Sequence, residues 1–126
     1  MKLTPVLIVE AVENSLPFWV DRMGFTRTVD VPEGDRIGFV ILEREGVELM
    51  LQTITSVRQD VPAFAPAGDG AKGCGIFIEV DDFEDVLRRL KGYPIALPER
   101  VTFYGMREIG VSEPSGHTVM FAAKTA

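Results

Sequence analysis

Cysteine is almost absent from this sequence, with Cys74 standing alone. A lone thiol excludes a disulfide framework within the chain, and a cysteine-based metal site would need its other ligands elsewhere. Cys74 reads as a small buried residue opening a strand. Histidine is as scarce: His117 is the single example. Basic residues are too few and too scattered for a nucleic-acid face. There are 13 Lys and Arg against 19 Asp and Glu, a formal net charge of -6, whereas phosphate neutralisation needs a basic surface. The one local cluster, Arg88, Arg89 and Lys91, shares its segment with Asp82, Glu84 and Asp85. The acidic surplus reads first as a solubility feature and second as a bias toward cationic ligands. No apolar run approaches the ~18 residues of a membrane span. The run Val6 to Val9 ends at Glu10 and lacks the layout of a secretory signal. No nucleic acid and no membrane are expected as partners, and the cytoplasm is the expected location.

What is present is ordinary for a globular protein. The 126 residues are 46% hydrophobic and 25% charged, enough for one domain with a real core. Short β-branched and apolar runs predict strands over Leu3 to Glu10, Phe25 to Val31, Ile37 to Glu43 and Val47 to Gln52, the last two joined as a hairpin by Glu45-Gly46. Pro32-Glu33-Gly34-Asp35 reads as a turn. A helix is predicted from Glu13 to Gly24, capped by Glu13 or Asn14, with Pro17 in its first turn and Leu16, Trp19, Val20 and Met23 on one face. Trp19 reads as core. Thr53 to Lys72 has the composition of a connector. Gly73 to Val80 reads as a strand, and Asp81-Asp82 caps a second helix, Phe83 to Leu90. Short strands follow around Ile95 to Leu97, Met106 to Ser112 and Thr118 to Ala123, with the turn Glu113-Pro114-Ser115-Gly116 between the last two.

These elements repeat. Val9-Glu10-Ala11-Val12-Glu13-Asn14 aligns with Val80-Asp81-Asp82-Phe83-Glu84-Asp85, and Gly46-Val47-Glu48-Leu49-Met50-Leu51 aligns with Gly116-His117-Thr118-Val119-Met120-Phe121. The expected class is α+β: two βαβββ modules forming a curved mixed sheet, with helices on the convex side and a groove on the concave side. The expected layout is one domain, with module one at 1–56, a connector at 57–72 and module two at 73–126.

This pattern resembles the vicinal oxygen chelate superfamily of glyoxalases, bleomycin-resistance proteins and dioxygenases. The resemblance is carried by Pro5-Val6-Leu7-Ile8-Val9, Phe18-Trp19, Met23-Gly24-Phe25, Ile78-Glu79-Val80-Asp81-Asp82, Tyr104-Gly105-Met106-Arg107-Glu108 and Glu113-Pro114-Ser115-Gly116-His117. Enzymes of that superfamily hold a divalent metal with His and Glu from the first and last strands of each module, leaving positions open for a bidentate substrate. In this sequence those positions fall on Thr4, Met50, Gly75 and Met120. Thr, Met and Gly are poor ligands for such an ion. Glu48 lies two residues from Met50, and His117 lies in a turn where strand alternation turns it to the other face. The resemblance is therefore closest to the metal-free bleomycin-resistance branch, in which two chains pair. It implies no cofactor, no metal and a homodimer.

Strand parity predicts the groove lining. In module one it is Val6, Ile8, Glu48, Met50 and Gln52. In module two it is Phe77, Glu79 and Met120, with Glu108 and Tyr104 as further candidates. Apolar walls with a few polar groups suit a small organic ligand, methionines adapt to its shape, and Glu48 and Glu79 favour positive charge. Each has a plainer reading: Met50 and Met120 as core, the two glutamates as solvated, Phe103-Tyr104 as a loop anchor rather than a flap, and Arg107-Glu108 as a surface ion pair. The leading functional expectation is a non-enzymatic protein sequestering an amphipathic, cation-tending compound of the bleomycin kind. The alternatives are a lyase or isomerase using groove carboxylates and a non-catalytic dimerising module.

Overall fold

A computed structural model describes residues 2–64 and 75–125. The chain divides into two compact units, Met1–Ala71 and Lys72–Ala126. Cys74, Gly73 and the later part of the connector lie outside the described residues.

In the first unit the β-branched run Val6–Val9 forms β1, which pairs in parallel with β4 (Val47–Thr53). Between them come β2 (Thr26–Glu33) and β3 (Arg36–Arg44), giving a four-stranded sheet in the order β1-β4-β3-β2. The β3–β4 hairpin turns at Glu45 and Gly46, both with positive φ, +51° and +81°, as a two-residue turn that follows the strand twist requires. Alternation along the strands buries Leu7, Val9, Val40, Leu42, Leu49 and Leu51. These residues share one face, as expected for Leu49 and Leu51.

The predicted first helix starts one residue earlier and is not uniform. It is α-helical as α1 (Val12–Leu16) and then π-helical over Pro17–Arg22. Pro17 falls inside the helix rather than in its first turn. It has no N–H to donate and its ring crowds the preceding turn, so the backbone widens there. The wider turn shifts the buried face: Val12, Ser15, Phe18, Trp19 and Met23 are buried, while Leu16 and Val20 are half-buried. Neither Glu13 nor Asn14 caps the helix, for Ala11 is the cap residue and no side chain serves it. The Glu13 carboxylate instead accepts the Ile37 N–H at 2.7 Å. That bond, helped by Arg36 and Arg27, holds its pKa below the ordinary glutamate range, against an opposing effect of burial. Trp19 is fully buried between Phe18 and Phe25 in edge-to-face contacts of 5.0 and 5.3 Å.

The connector reading of Thr53 onward needs correction. Residues Ile54–Asp60 form a helix, α2, followed by a 3₁₀ turn at Pro62–Phe64. Thr53 caps α2: its hydroxyl accepts from the Ser56 N–H at 3.0 Å and donates to Glu33 at 2.8 Å.

The second unit repeats the first. β5 (Gly75–Glu79) pairs in parallel with β8 (Thr118–Lys124), and β7 (Met106–Ser112) and β6 (Leu97–Val101) complete the order β5-β8-β7-β6. The strand expected around Ile95 lies two residues later. α3 (Phe83–Arg89) is capped by Asp82, as expected, through the Asp85 N–H at 3.0 Å. Phe83, Val86 and Leu90 are buried, together with Ile109, Val111, Val119 and Phe121. The last strand of each antiparallel run, β2 and β6, carries a proline, Pro32 and Pro98, and breaks in pairing register. The architecture is thus α+β, two βαβββ modules each with its own mixed sheet.

Candidate functional site

Each sheet has one face under its helix, α1 or α3, and one face turned away from it. The second face carries the candidate residues. In the first unit Val6 stands opposite Met50 and Ile8 opposite Gln52. Ile41 adjoins Met50, and Phe39 adjoins Gln52, from the other side. Val6, Ile8 and Met50 are half-buried, so the plain core reading of Met50 does not describe it. Gln52 is buried and donates to the Ser56 hydroxyl at 3.0 Å. Glu48 faces Glu43 across the hairpin and pairs with Lys2 at 2.9 Å.

In the second unit Phe77 stands opposite Met120, and Glu79 opposite Ala122. Phe77 is 56% exposed and Met120 half-buried. Glu79 is exposed and has no polar partner among the described residues. Glu108 adjoins Ala122 on the same face and is only 1% exposed. It accepts from Arg100 at 3.1 Å and from the Tyr104 hydroxyl at 3.0 Å. The plainer reading of Arg107 and Glu108 as a surface ion pair does not hold, because alternation sends neighbouring residues to opposite faces. Arg107 lies over the Phe83 ring at 4.5 Å and bonds to Glu99 and Glu84, which raise its pKa. Phe103 is fully exposed beside Tyr104 at 5.0 Å between ring centres, so it does not anchor the loop. His117 is buried against Glu113, 3.0 Å from its carboxylate, inside the β7–β8 turn.

The ten candidates therefore fall into two sets of five, one in each unit, with Tyr104 in the β6–β7 turn and the others on the strands, and pairing brings Val6 to Met50 and Phe77 to Met120. A cleft of about 500 Å³ also lies on the first sheet, lined by Val31, Phe39, Gln52, Ser56, Gln59 and Asp60. Sequence parity found Gln52 but missed the α2 residues, because α2 was read as connector. Thr53, a residue type that caps helices, was the signal available.

The four ligand positions implied by the family pattern are Thr4, Met50, Gly75 and Met120. They supply one hydroxyl, two thioethers and no carboxylate or imidazole. That set does not fit a hard or borderline divalent ion. Among the described residues, no group of three or more His, Cys, Asp or Glu is arranged to hold one. No helix there is long and apolar enough to cross a membrane.

The chain belongs to the glyoxalase/bleomycin resistance protein/dioxygenase superfamily, whose family model matches residues 3–121. Among solved structures, it resembles a glyoxalase/bleomycin resistance protein/dioxygenase from Nocardioides, at 21% identity over 99% of this chain and 84% of that one, with a TM-score of 0.75. TioX from Micromonospora sp. ML1 matches at 18% identity over 98% of both chains, TM-score 0.76. Lactoylglutathione lyase from Agrobacterium tumefaciens matches at 16% identity over 98% and 92%, TM-score 0.73. At these identities the likeness is one of fold. Comparison with curated protein sequences finds no match.

Proposed function

We propose that this protein is a metal-independent binder that sequesters an amphipathic, cation-tending small molecule. The observation that carries the reading is the pair Met50 and Met120. They stand in equivalent registers, opposite Val6 and Phe77, where a metalloenzyme of this family would carry ligands. A thioether there adds a soft, adaptable apolar surface instead of a metal bond. A glycopeptide of the bleomycin class has the matching chemistry, and the family's description includes bleomycin resistance. A homodimer belongs to the same proposal.

A lyase or isomerase using groove carboxylates has less support. Glu48 is neutralised by Lys2 and Glu108 by Arg100. Only Glu79 among the three has no partner among the described residues, and a lone exposed carboxylate lacks the partner group that acid–base work requires. The test is metal analysis of the purified protein with calorimetric titration of bleomycin. Substoichiometric metal and saturable binding are expected. Stoichiometric zinc, nickel, iron or manganese would overturn the metal-independent reading.

A further inference from the structure

We propose that the cleft between α2 and the first sheet seats a flat apolar group bearing a protonated nitrogen, with Asp60 as its counter-ion. The proposal rests on the binding reading above and assigns that ligand a class and a seat. The cleft has about 500 Å³, within the range that holds drug-sized molecules. Its walls differ in chemistry. Val31 and Phe39 are cross-strand partners on the sheet, and Val31 is 47% exposed. Together they offer a flat apolar surface with a ring on which a planar group can stack. The opposite wall is α2, which contributes Ser56, Gln59 and Asp60. Gln52 lies between the walls, fixed by its bond to Ser56.

Charge decides which planar group fits. Asp60 is the one charged residue among the described residues of the lining, which include no Lys, Arg or His. It is exposed, and it has no hydrogen-bond or ion-pair partner among the described residues. Gln59 is likewise without a partner there. An anionic ligand would meet an uncompensated carboxylate. A neutral one would leave Asp60 unused. A protonated amine on an aromatic body satisfies the carboxylate and stacks on Phe39, while the Gln59 amide takes a ring substituent.

Three acridines of one ring size separate these terms at neutral pH: cationic 9-aminoacridine, neutral acridine and anionic acridine-9-carboxylate. Fluorescence titration of the full chain should show a single saturable site for 9-aminoacridine and no competition by the carboxylate. Asp60→Asn, a surface change that leaves the fold intact by circular dichroism, should weaken 9-aminoacridine by about fivefold while moving acridine by less than about twofold. Phe39→Leu should weaken both. Unchanged affinity in Asp60→Asn, equal binding of the carboxylate, or no binding of 9-aminoacridine would overturn the proposal. Continued bleomycin binding by the same metal-free preparation would then leave the sequestration reading standing. Loss of bleomycin binding as well, with metal co-purifying, would overturn both.

Discussion

At the scale of single residues, three glutamates behave differently. Glu13 ties α1 to the start of β3 through the Ile37 N–H. Its folded pKa lies below its unfolded value, so its contribution to stability is fully present above about pH 4.3 and is lost as pH falls through the folded value. Glu13→Gln should therefore be less stable near neutral pH and show a shallower loss on acidification, measured by urea unfolding across pH. Glu108 is a different case. Its carboxylate sits under Arg100 and Tyr104 with almost no solvent contact. Glu108→Ala should cost about 1–3 kcal/mol, since the Tyr104 hydroxyl and the guanidinium lose their acceptor; Arg100 is half-exposed and recovers part of this through water. Glu79 stabilises nothing visible, and its removal should leave unfolding unchanged.

At the scale of elements, legibility followed periodicity. β4 and β8 were readable because alternation of apolar and polar residues assigns each side chain to a face, and Met50, Gln52 and Met120 lie where that alternation puts them. α3 was readable because Asp82 opens a regular apolar stripe. The first helix was only partly so. Its stripe was counted at α-helical spacing, but Pro17 forces a wider turn, and Phe18 rather than Val20 becomes buried. α2 was missed because Val57 is its one buried residue, so its seven positions show no apolar stripe. Its existence depends on Thr53, whose hydroxyl links Ser56 and Glu33. Thr53→Val should cost about 1–2 kcal/mol and fray α2 selectively, seen as faster amide exchange over Ser56 to Asp60. The cleft on the first sheet should lose affinity with it. Nor could sequence place Phe103, since exposure of a turn aromatic depends on which neighbours fold over it.

At the scale of the molecule, the repeat was the strongest feature of the sequence, and the matching orders β1-β4-β3-β2 and β5-β8-β7-β6 express it in the backbone. The doubling extends to the residues opposite one another at β1/β4 and β5/β8, which is why methionine at both last-strand ligand positions could be read at once. A protein whose fold does not draw on a metal should be indifferent to chelators. Dialysis against EDTA should leave the melting temperature within about 1 °C of the untreated protein, less than the shift a 1 kcal/mol change would produce.

The broken pairing and the prolines of β2 and β6 carry a consequence for behaviour in concentrated solution. A terminal strand with a regular row of unused N–H and C=O groups invites a stranger to add on, the first step toward fibrils. In both modules that row is interrupted, by Pro32 and by Pro98, beside a change of register. Charged Asp30 and Arg27 on one strand, and Glu99 and Arg100 on the other, reinforce the interruption. The same safeguard thus appears once per module, at the β2 edge of one sheet and the β6 edge of the other.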